Sequence, residues 1–136
     1  MANTRNKHGT YSIELDSNIV IMRAYGSWNL EQAEAYCHDL CENYVSHIEH
    51  SPWGLVGDLT EWGLCTPEAM QRFEQLAEEL SNRNQYFQAA ISQMKMQQSL
   101  AREYATRAGH LLTVKHFHDF GEGLRWCKEQ LANLNR

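Results

Sequence analysis

The feature that most constrains this chain is a regular alternation of strand-like and helix-like segments along most of its 136 residues. Strand-like segments show apolar residues at every second position or short apolar runs, and helix-like segments show them three or four residues apart. The predicted strands cover residues 11–15, 19–25, 53–59, 86–91 and 111–117. The predicted helices begin at Asn29, Thr66, about Met94 and Asp119.

The resulting order β-β-α-β-α-β-α-β-α predicts an α/β fold. Strands that alternate with helices need crossover connections, so the later strands should run parallel in one sheet. The first two strands flank the turn sequence Asp16-Ser17-Asn18 and should form a hairpin, which makes the sheet mixed. We therefore expect one five-stranded mixed sheet with four helices, in a single domain over residues 11–134 that follows a disordered segment over residues 1–10.

Three predicted helices begin with residues typical of helix N-termini. Asn29 with Gln32 and Asp119 with Glu122 both fit the capping-box spacing. Thr66 precedes Pro67, and proline is favoured at the first helical position. The sequence thus indicates where these three helices start.

Composition argues against several classes of partner and location. The formal net charge is −5, and no group of Lys and Arg forms the cationic face that nucleic acids require. No apolar run is long enough to cross a bilayer, and no apolar segment follows the basic residues of the N-terminus as a signal peptide requires. The four cysteines include no Cys-x-x-Cys pair and are typical of reduced thiols. We expect a cytoplasmic protein without nucleic-acid partners.

Two stretches resemble a known family. The segment TVKHFHDFGEGLRWCKEQL is similar to the closing strand and helix of SpoIIAA-like proteins, which belong to the broad STAS and Sec14-like group. A tryptophan at a strand start, an Asp-Leu-Thr strand end and a Thr-Pro-Glu helix start add to the resemblance, which extends over roughly residues 11–134. The positions that match the closing motif are Phe117, Asp119, Glu122, Gly123, Leu124 and Trp126.

The resemblance implies two kinds of function. STAS domains are regulators that bind protein partners, which implies a non-enzymatic binding domain here. Sec14-like relatives hold lipids, which implies as an alternative a carrier or sensor of an apolar small molecule. Met70, Met94 and Met96 would suit such a pocket, although core packing explains them equally well.

The segment after Asp58 offers a possible phosphorylation site. In antagonist-type STAS proteins a serine at the corresponding helix start takes a phosphate. This chain has Cys65-Thr66-Pro67-Glu68 instead, so the Thr66 hydroxyl is needed as the helix cap and Glu68 would repel a phosphate. We favour the cap and keep phosphorylation of Thr66 or Thr60 as the weaker hypothesis.

Several residues invite catalytic or metal hypotheses. Cys65 precedes a helix N-terminus, where a thiolate would be stabilised and His118 is a conceivable base. Ser92, His118 and Asp58 provide the residue types of a hydrolase triad, but no Gly-x-Ser-x-Gly motif is present. The pairs His116/His118 and His47/His50 lack a recognisable third ligand. We predict neither a catalytic residue nor a metal or cofactor site.

The remaining prediction concerns the crevice beyond the carboxyl ends of the parallel strands, where open α/β sheets bind their ligands. Asp58 should accept backbone N–H bonds from the segment that follows it. Trp62 is predicted to lie in a loop, where it either folds back on the sheet or anchors a partner. A homodimer is a further expectation for so small a domain. The predicted binding residues are Asp58, Thr60, Trp62, Thr66, Ser92, His118 and Asp119.

Overall fold

The computed structural model describes residues 9–93, 95 and 112–134. Five strands form one sheet in the order β1-β2-β3-β4-β5. Strand β1 is antiparallel to β2, and β2 to β5 run parallel to one another, as predicted. The strands are β1 (Thr10–Asp16), β2 (Ile19–Trp28), β3 (Trp53–Cys65), β4 (Gln85–Ile91) and β5 (Thr113–Phe117).

The helices lie on both faces of the sheet. Helix α1 (Leu30–Leu40) continues through a π-helical turn, Cys41–Val45, into the short α2 (Ser46–Ile48). The other helices are α3 (Pro67–Ser81) and α4 (Phe120–Leu134). The helix predicted from about Met94 lies outside the described residues.

The sheet separates two apolar clusters. One face, which we call the α3 face, packs against α1 and α3 around the buried Trp28, Tyr36 and Trp53. The opposite α4 face packs against α4 through a smaller group that includes Phe87, Ile91 and Cys127. Successive strand residues alternate between these faces, which explains why the strands are apolar nearly throughout.

All three predicted caps are present. The Asn29 side chain accepts a hydrogen bond from the Gln32 backbone N–H, and Thr66 Oγ1 accepts one from Ala69 N–H at 3.2 Å. Asp119 Oδ2 accepts one from Glu122 N–H at 3.0 Å. These side chains satisfy backbone donors that have no partner within the first helical turn.

Strands β2 and β3 are longer than predicted. The sequence indicated that β2 ends before Gly26 and β3 after Leu59, yet the pair continues to Trp28 and Cys65. Two register shifts make this possible, because in each of them β3 advances three residues while β2 advances two. Such bulges break the alternation on which strand prediction relies.

Candidate functional site

Asp58 is the last residue of β3 that pairs with β4, and its side chain organises the segment that follows it. Its Oδ1 atom accepts hydrogen bonds from the Thr60 backbone N–H at 3.1 Å and from the Thr60 hydroxyl at 2.8 Å. Its Oδ2 atom lies 3.7 Å from Arg23 Nε. The predicted carboxylate-to-backbone contact is therefore confirmed, and Asp58 also pairs with a cation that the sequence analysis did not single out.

Trp62 does not lie in a loop, so that prediction is wrong. It is part of strand β3, pairs with Gly26 of β2 and is only 7% exposed. Its ring meets Trp28 edge-on at 6.2 Å between centroids and lies 6.1 Å from Phe73. The bulge between Asp58 and Glu61 changes the parity of β3, so Trp62 points to the same face as Leu55 despite the odd spacing. Trp62 is therefore part of the buried core of the α3 face.

Two apolar side chains are exposed near the carboxyl ends of β2 and β3. Leu64 near the end of β3 is 62% exposed, and Leu30 at the start of α1 is 41% exposed. Backbone contacts hold this corner together, since Thr66 N–H donates to the Trp28 carbonyl at 3.1 Å. Leu64 N–H donates to Ser27 Oγ at 3.2 Å. We call this surface, formed by Ser27, Leu30, Leu64 and Thr66, the β2–β3 corner.

Cys65 does not have the lowered pKa expected of a reactive thiol. Burial raises the pKa of its thiol from 9.0 to about 11, and its Sγ atom lies 3.6 Å from the Thr66 carbonyl oxygen. Desolvation disfavours the thiolate and is the cause of the raised pKa. His118 is also poorly placed as a base, because it follows β5, two strands away from β3 in the sheet.

Ser92 contacts His116 and not His118. Its Oγ atom lies 2.6 Å from His116 Nε2, and the rings of His116 and His118 meet edge-on at 4.9 Å. Ser92 itself is fully buried, at 0% exposure. The contact depends on the parallel pairing of β4 with β5, which brings together residues that are 24 positions apart.

The residues of the hypothetical triad are not brought together. Asp58 is paired in register with Ile91, and both belong to the α4 face, where the guanidinium of Arg23 also lies over the Phe120 ring at 4.7 Å. Ser92 is the next residue after Ile91 and therefore points to the α3 face. A triad of Ser92, His118 and Asp58 is contradicted by this geometry.

Titratable groups elsewhere do not assemble into a metal site within the described ranges. No group of three or more His, Cys, Asp or Glu side chains there could hold a metal ion. His116 and His118 do share one side of the sheet, as their spacing predicted. Asp119 serves as the cap of α4.

A cavity of about 80 Å³ lies between the sheet and helices α1 and α3. A buried water needs roughly 10–15 Å³ by this measure, so the space is much larger than one water molecule. Gly57 and Ala90 are neighbours on β3 and β4 and leave room in its floor. None of its described lining residues is charged: Met22, Tyr36, Leu55, Gly57, Leu59, Trp62, Met70, Phe73, Leu76, Leu80, Gln88 and Ala90.

Sequence reasoning anticipated one part of this cavity. Met70 lines it, whereas Met94 and Met96 fall outside the described residues. The contribution of Gly57 and Ala90 was missed. Small residues in an otherwise bulky buried strand were the available signal, because glycine within a strand often marks a close approach or a space.

No protein-family model and no curated protein matches this sequence. Solved structures do match. An uncharacterised protein with a SpoIIAA-like fold from Shewanella loihica PV-4 has a TM-score of 0.67 at 19% identity, with 93% of this chain and 99% of that chain covered. An anti-sigma factor antagonist from Mycobacterium paratuberculosis has a TM-score of 0.60 at 11% identity, with 88% and 94% covered.

These identities are too low to transfer a function, but the matches extend over nearly the whole of each chain. They agree with the strand order and with the resemblance read from the closing strand and helix. Among the described residues, no helix is both long and apolar enough to cross a membrane. The chain therefore has the SpoIIAA-like, STAS-type α/β fold.

Proposed function

We propose that this protein is a non-enzymatic regulatory domain that recognises a cytoplasmic protein partner at the carboxyl edge of its sheet, through the β2–β3 corner. The observation that carries the proposal is the exposure of Leu64, at 62% the most exposed of the large apolar residues in the described ranges. Apolar surface that stays exposed on a folded domain can mark a site of protein–protein interaction. A related fold occurs in a protein described as an anti-sigma factor antagonist, which is consistent with a regulatory role.

The corner is suited to recognition because its backbone is held in place and two of its side chains are exposed and apolar. The backbone contact from Thr66 to Trp28 ties β3 to β2, and Trp28 packs edge-on against Trp62 in the core. A fixed surface loses little conformational freedom on binding, so more of the contact energy appears as affinity.

The polar residues support a binding role more than a catalytic one. Ser92 is fully buried, and the Cys65 pKa is raised to about 11, so neither group is a ready nucleophile near neutral pH. Asp58 and Asp119 are engaged in holding a strand end and a helix start. In this proposal their role is structural, since Asp58 holds its own strand end and Asp119 caps α4.

The test compares two leucines in a capture experiment with lysate of the native host. Leu64→Glu places a charge in the β2–β3 corner, whereas Leu134→Glu places one at the end of α4, where Leu134 is 41% exposed. We expect the wild-type protein and Leu134→Glu to retain the same partner and Leu64→Glu to lose it. Retention by all three, with both variants folded by circular dichroism, would contradict the proposal.

Thr66 is the position at which phosphorylation would regulate this corner. Its Oγ1 atom accepts the Ala69 N–H bond, so a phosphate would have to replace the cap and face Glu68 in the same turn. The cap therefore remains the favoured role. Intact-mass analysis of protein from the native host tests the alternative, because a stoichiometric gain of one phosphate on Thr66 would reverse the ranking.

A second candidate function is suggested by the cavity. The cavity has a volume of about 80 Å³ and an uncharged lining, in which Gln88 and Tyr36 are polar. Such a cavity fits a neutral and mainly apolar small molecule with a single hydrogen-bonding group. No cation lines the described part of the cavity, which disfavours a ligand whose anionic group would have to be buried there.

This candidate is tested by native mass spectrometry with a matched variant. A Cβ at Gly57 would meet only Leu55 Cδ2 at 3.5 Å and the Ala89 carbonyl oxygen at 3.9 Å, so Gly57→Ala fills part of the cavity without a clash. We expect a small molecule to remain bound to the wild-type protein after gentle purification and to be depleted in Gly57→Ala. A wild-type spectrum that shows only the mass of the chain would contradict this function.

A further inference from the structure

The two edges of the sheet differ in how well they are protected against pairing with another chain. Strand β5 is short and has Lys115 at its centre, and both features discourage edge pairing. Strand β1 contains no proline, glycine or lysine, and all seven of its residues pair with β2 without a bulge. No described strand covers its outer side. Strand β1 is therefore the edge at which a further strand can be added.

The side chains of β1 divide cleanly between the two faces. Tyr11 and Ile13 are half-buried against the core of the α3 face, and Leu15 follows them in alternation with 39% exposure. Ser12 and Glu14 are exposed on the opposite face. An added strand would thus extend an apolar row on one side and a polar row on the other.

We propose that the occupant of this edge is β1 of a second copy of the chain, paired antiparallel about a two-fold axis at Ile13. This pairing places Ile13 opposite its own copy and Tyr11 opposite Leu15 on the apolar side. On the polar side it places Ser12 opposite Glu14 and Thr10 opposite Asp16. Every residue of β1 is used, and each half of the contact is the same surface, as two-fold symmetry requires.

Charge and the length of β1 together select this register. A two-fold axis at Glu14 would set two glutamates directly opposite each other, and an axis at Ser12 would leave Leu15 without a partner in β1. With the axis at Ile13, no residue faces a like charge directly. The acidic side chains are also compensated within each chain, since Glu14 Oε1 lies 3.0 Å from Arg23 Nη1 and Asp16 Oδ2 lies 3.3 Å from Lys128 Nζ.

Ser12 has different neighbours within one chain and across the proposed dimer, so a substitution there can affect the two contacts differently. Within one chain its cross-strand neighbour on β2 is Arg23, whereas in the proposed dimer it faces Glu14 of the second copy. A negative charge at position 12 should be tolerated by the fold and should repel the second copy. A positive charge should do the reverse. This contact is separate from the β2–β3 corner, so the dimer does not depend on the proposed function.

The test is sedimentation equilibrium of the full chain over a concentration series. The apparent mass of the wild-type protein should rise with its concentration towards twice the 15.8 kDa of one chain. Ser12→Glu should raise the dimer dissociation constant about tenfold, because the unfavourable pair occurs twice. Ser12→Lys should lower the constant, and Thr113→Glu on β5 should leave it unchanged.

The double variant Ser12→Glu with Glu14→Ser provides the decisive control. It moves one negative charge along the same face of β1, restores a serine opposite each glutamate and leaves position 12 beside Arg23. We expect it to dimerise as the wild-type protein does. A wild-type mass of one chain at every concentration would overturn the proposal, and so would Ser12→Glu and Thr113→Glu behaving alike.

Discussion

Two glycines in strand β3 show how differently the two faces of the sheet are packed. Gly54 points to the α4 face, where an added Cβ would lie 1.9 Å from the Phe87 ring. Gly57, three residues further along, points to the α3 face, where an added Cβ would meet nothing closer than 3.5 Å. The same residue type is a steric requirement in one place and leaves a space in the other.

A second glycine shows that the α4 face is close-packed. A Cβ at Gly123 of α4 would approach Ile91 Cδ1 to 2.4 Å, so the helix lies directly on the sheet. The α3 face carries several aromatic residues in edge-on contact at about 6 Å, and two of them, Trp62 and Phe73, line the cavity. The comparison suggests that one face provides rigidity and the other provides space for binding.

The largest effect that would test this contrast is expected from Gly54→Ala. The added methyl group must displace the buried Phe87 ring, and overpacking of this kind costs about 3 kcal/mol at the upper end of its usual range. Urea denaturation should show a loss of that order in the free energy of unfolding. The double variant Gly54→Ala with Phe87→Leu should recover part of the loss, and a loss below about 1 kcal/mol would show that the α4 face adapts more easily than its contacts suggest.

The sequence predicted the order of strands and helices along the chain because its signals were local. The caps at Asn29, Thr66 and Asp119 are contacts between residues three positions apart, and all three are present. Apolar periodicity predicted the strands and the helices on each side of them. Contacts between residues so close in the sequence do not depend on how distant segments pair, so the local sequence is enough to predict them.

The errors at the site arose where register decides the outcome. Trp62 was expected in a loop, but a bulge opposite β2 brings it onto the α3 face within the strand. Ser92 was grouped with His118, yet the register of β4 and β5 gives it His116 as its contact. Neither the bulge nor this register can be recognised within the segment itself, so they could not be predicted from the sequence.

A second test compares two buried thiols, one on each face. Cys37 on the α3 face and Cys127 on the α4 face are 1% and 0% exposed, and burial raises the pKa of each to about 12. If the α3 face opens more easily, a small thiol reagent should label Cys37 about tenfold faster, which corresponds to roughly 1.4 kcal/mol in opening free energy. Mass spectrometry of labelled peptides measures both rates.

The raised pKa values of these two thiols also predict how the stability of the protein depends on pH. Because both folded-state pKa values lie above the ordinary value of 9.0, the folded protein favours the neutral thiols. Their contribution to stability is complete below about pH 9 and is lost as the pH rises towards 12.

Labelling in urea is the control for the comparison of the two thiols, because both should react at the same rate in the unfolded chain. Equal labelling rates in the native protein would contradict the proposed contrast between the two faces.

The helix caps provide a third and smaller test, since Thr66 begins the helix of one face and Asp119 begins that of the other. Thr66→Ala and Asp119→Ala should each lower the free energy of unfolding by about 1 kcal/mol. Thr66→Ser and Asp119→Asn retain a capping oxygen and serve as controls. Hydrogen exchange should then show whether each loss is confined to its own helix, as expected for faces that open separately, or shared by both helices.

The smallest effect, and the only gain, is expected from Gly57→Ala. The backbone φ of Gly57 lies outside the region that favours glycine, and an added Cβ would enter the cavity at ordinary contact distances. Because alanine makes the unfolded chain less flexible than glycine does, the free energy of unfolding should rise by about 0.4–1 kcal/mol.

Thermal unfolding of ligand-free protein measures this gain in stability, and Gly54→Ala is the control that should lose stability. A loss above about 1 kcal/mol would mean that the α3 face is packed as tightly as the α4 face. A gain in stability together with a loss of bound small molecule would show that the space is kept for binding at the expense of stability.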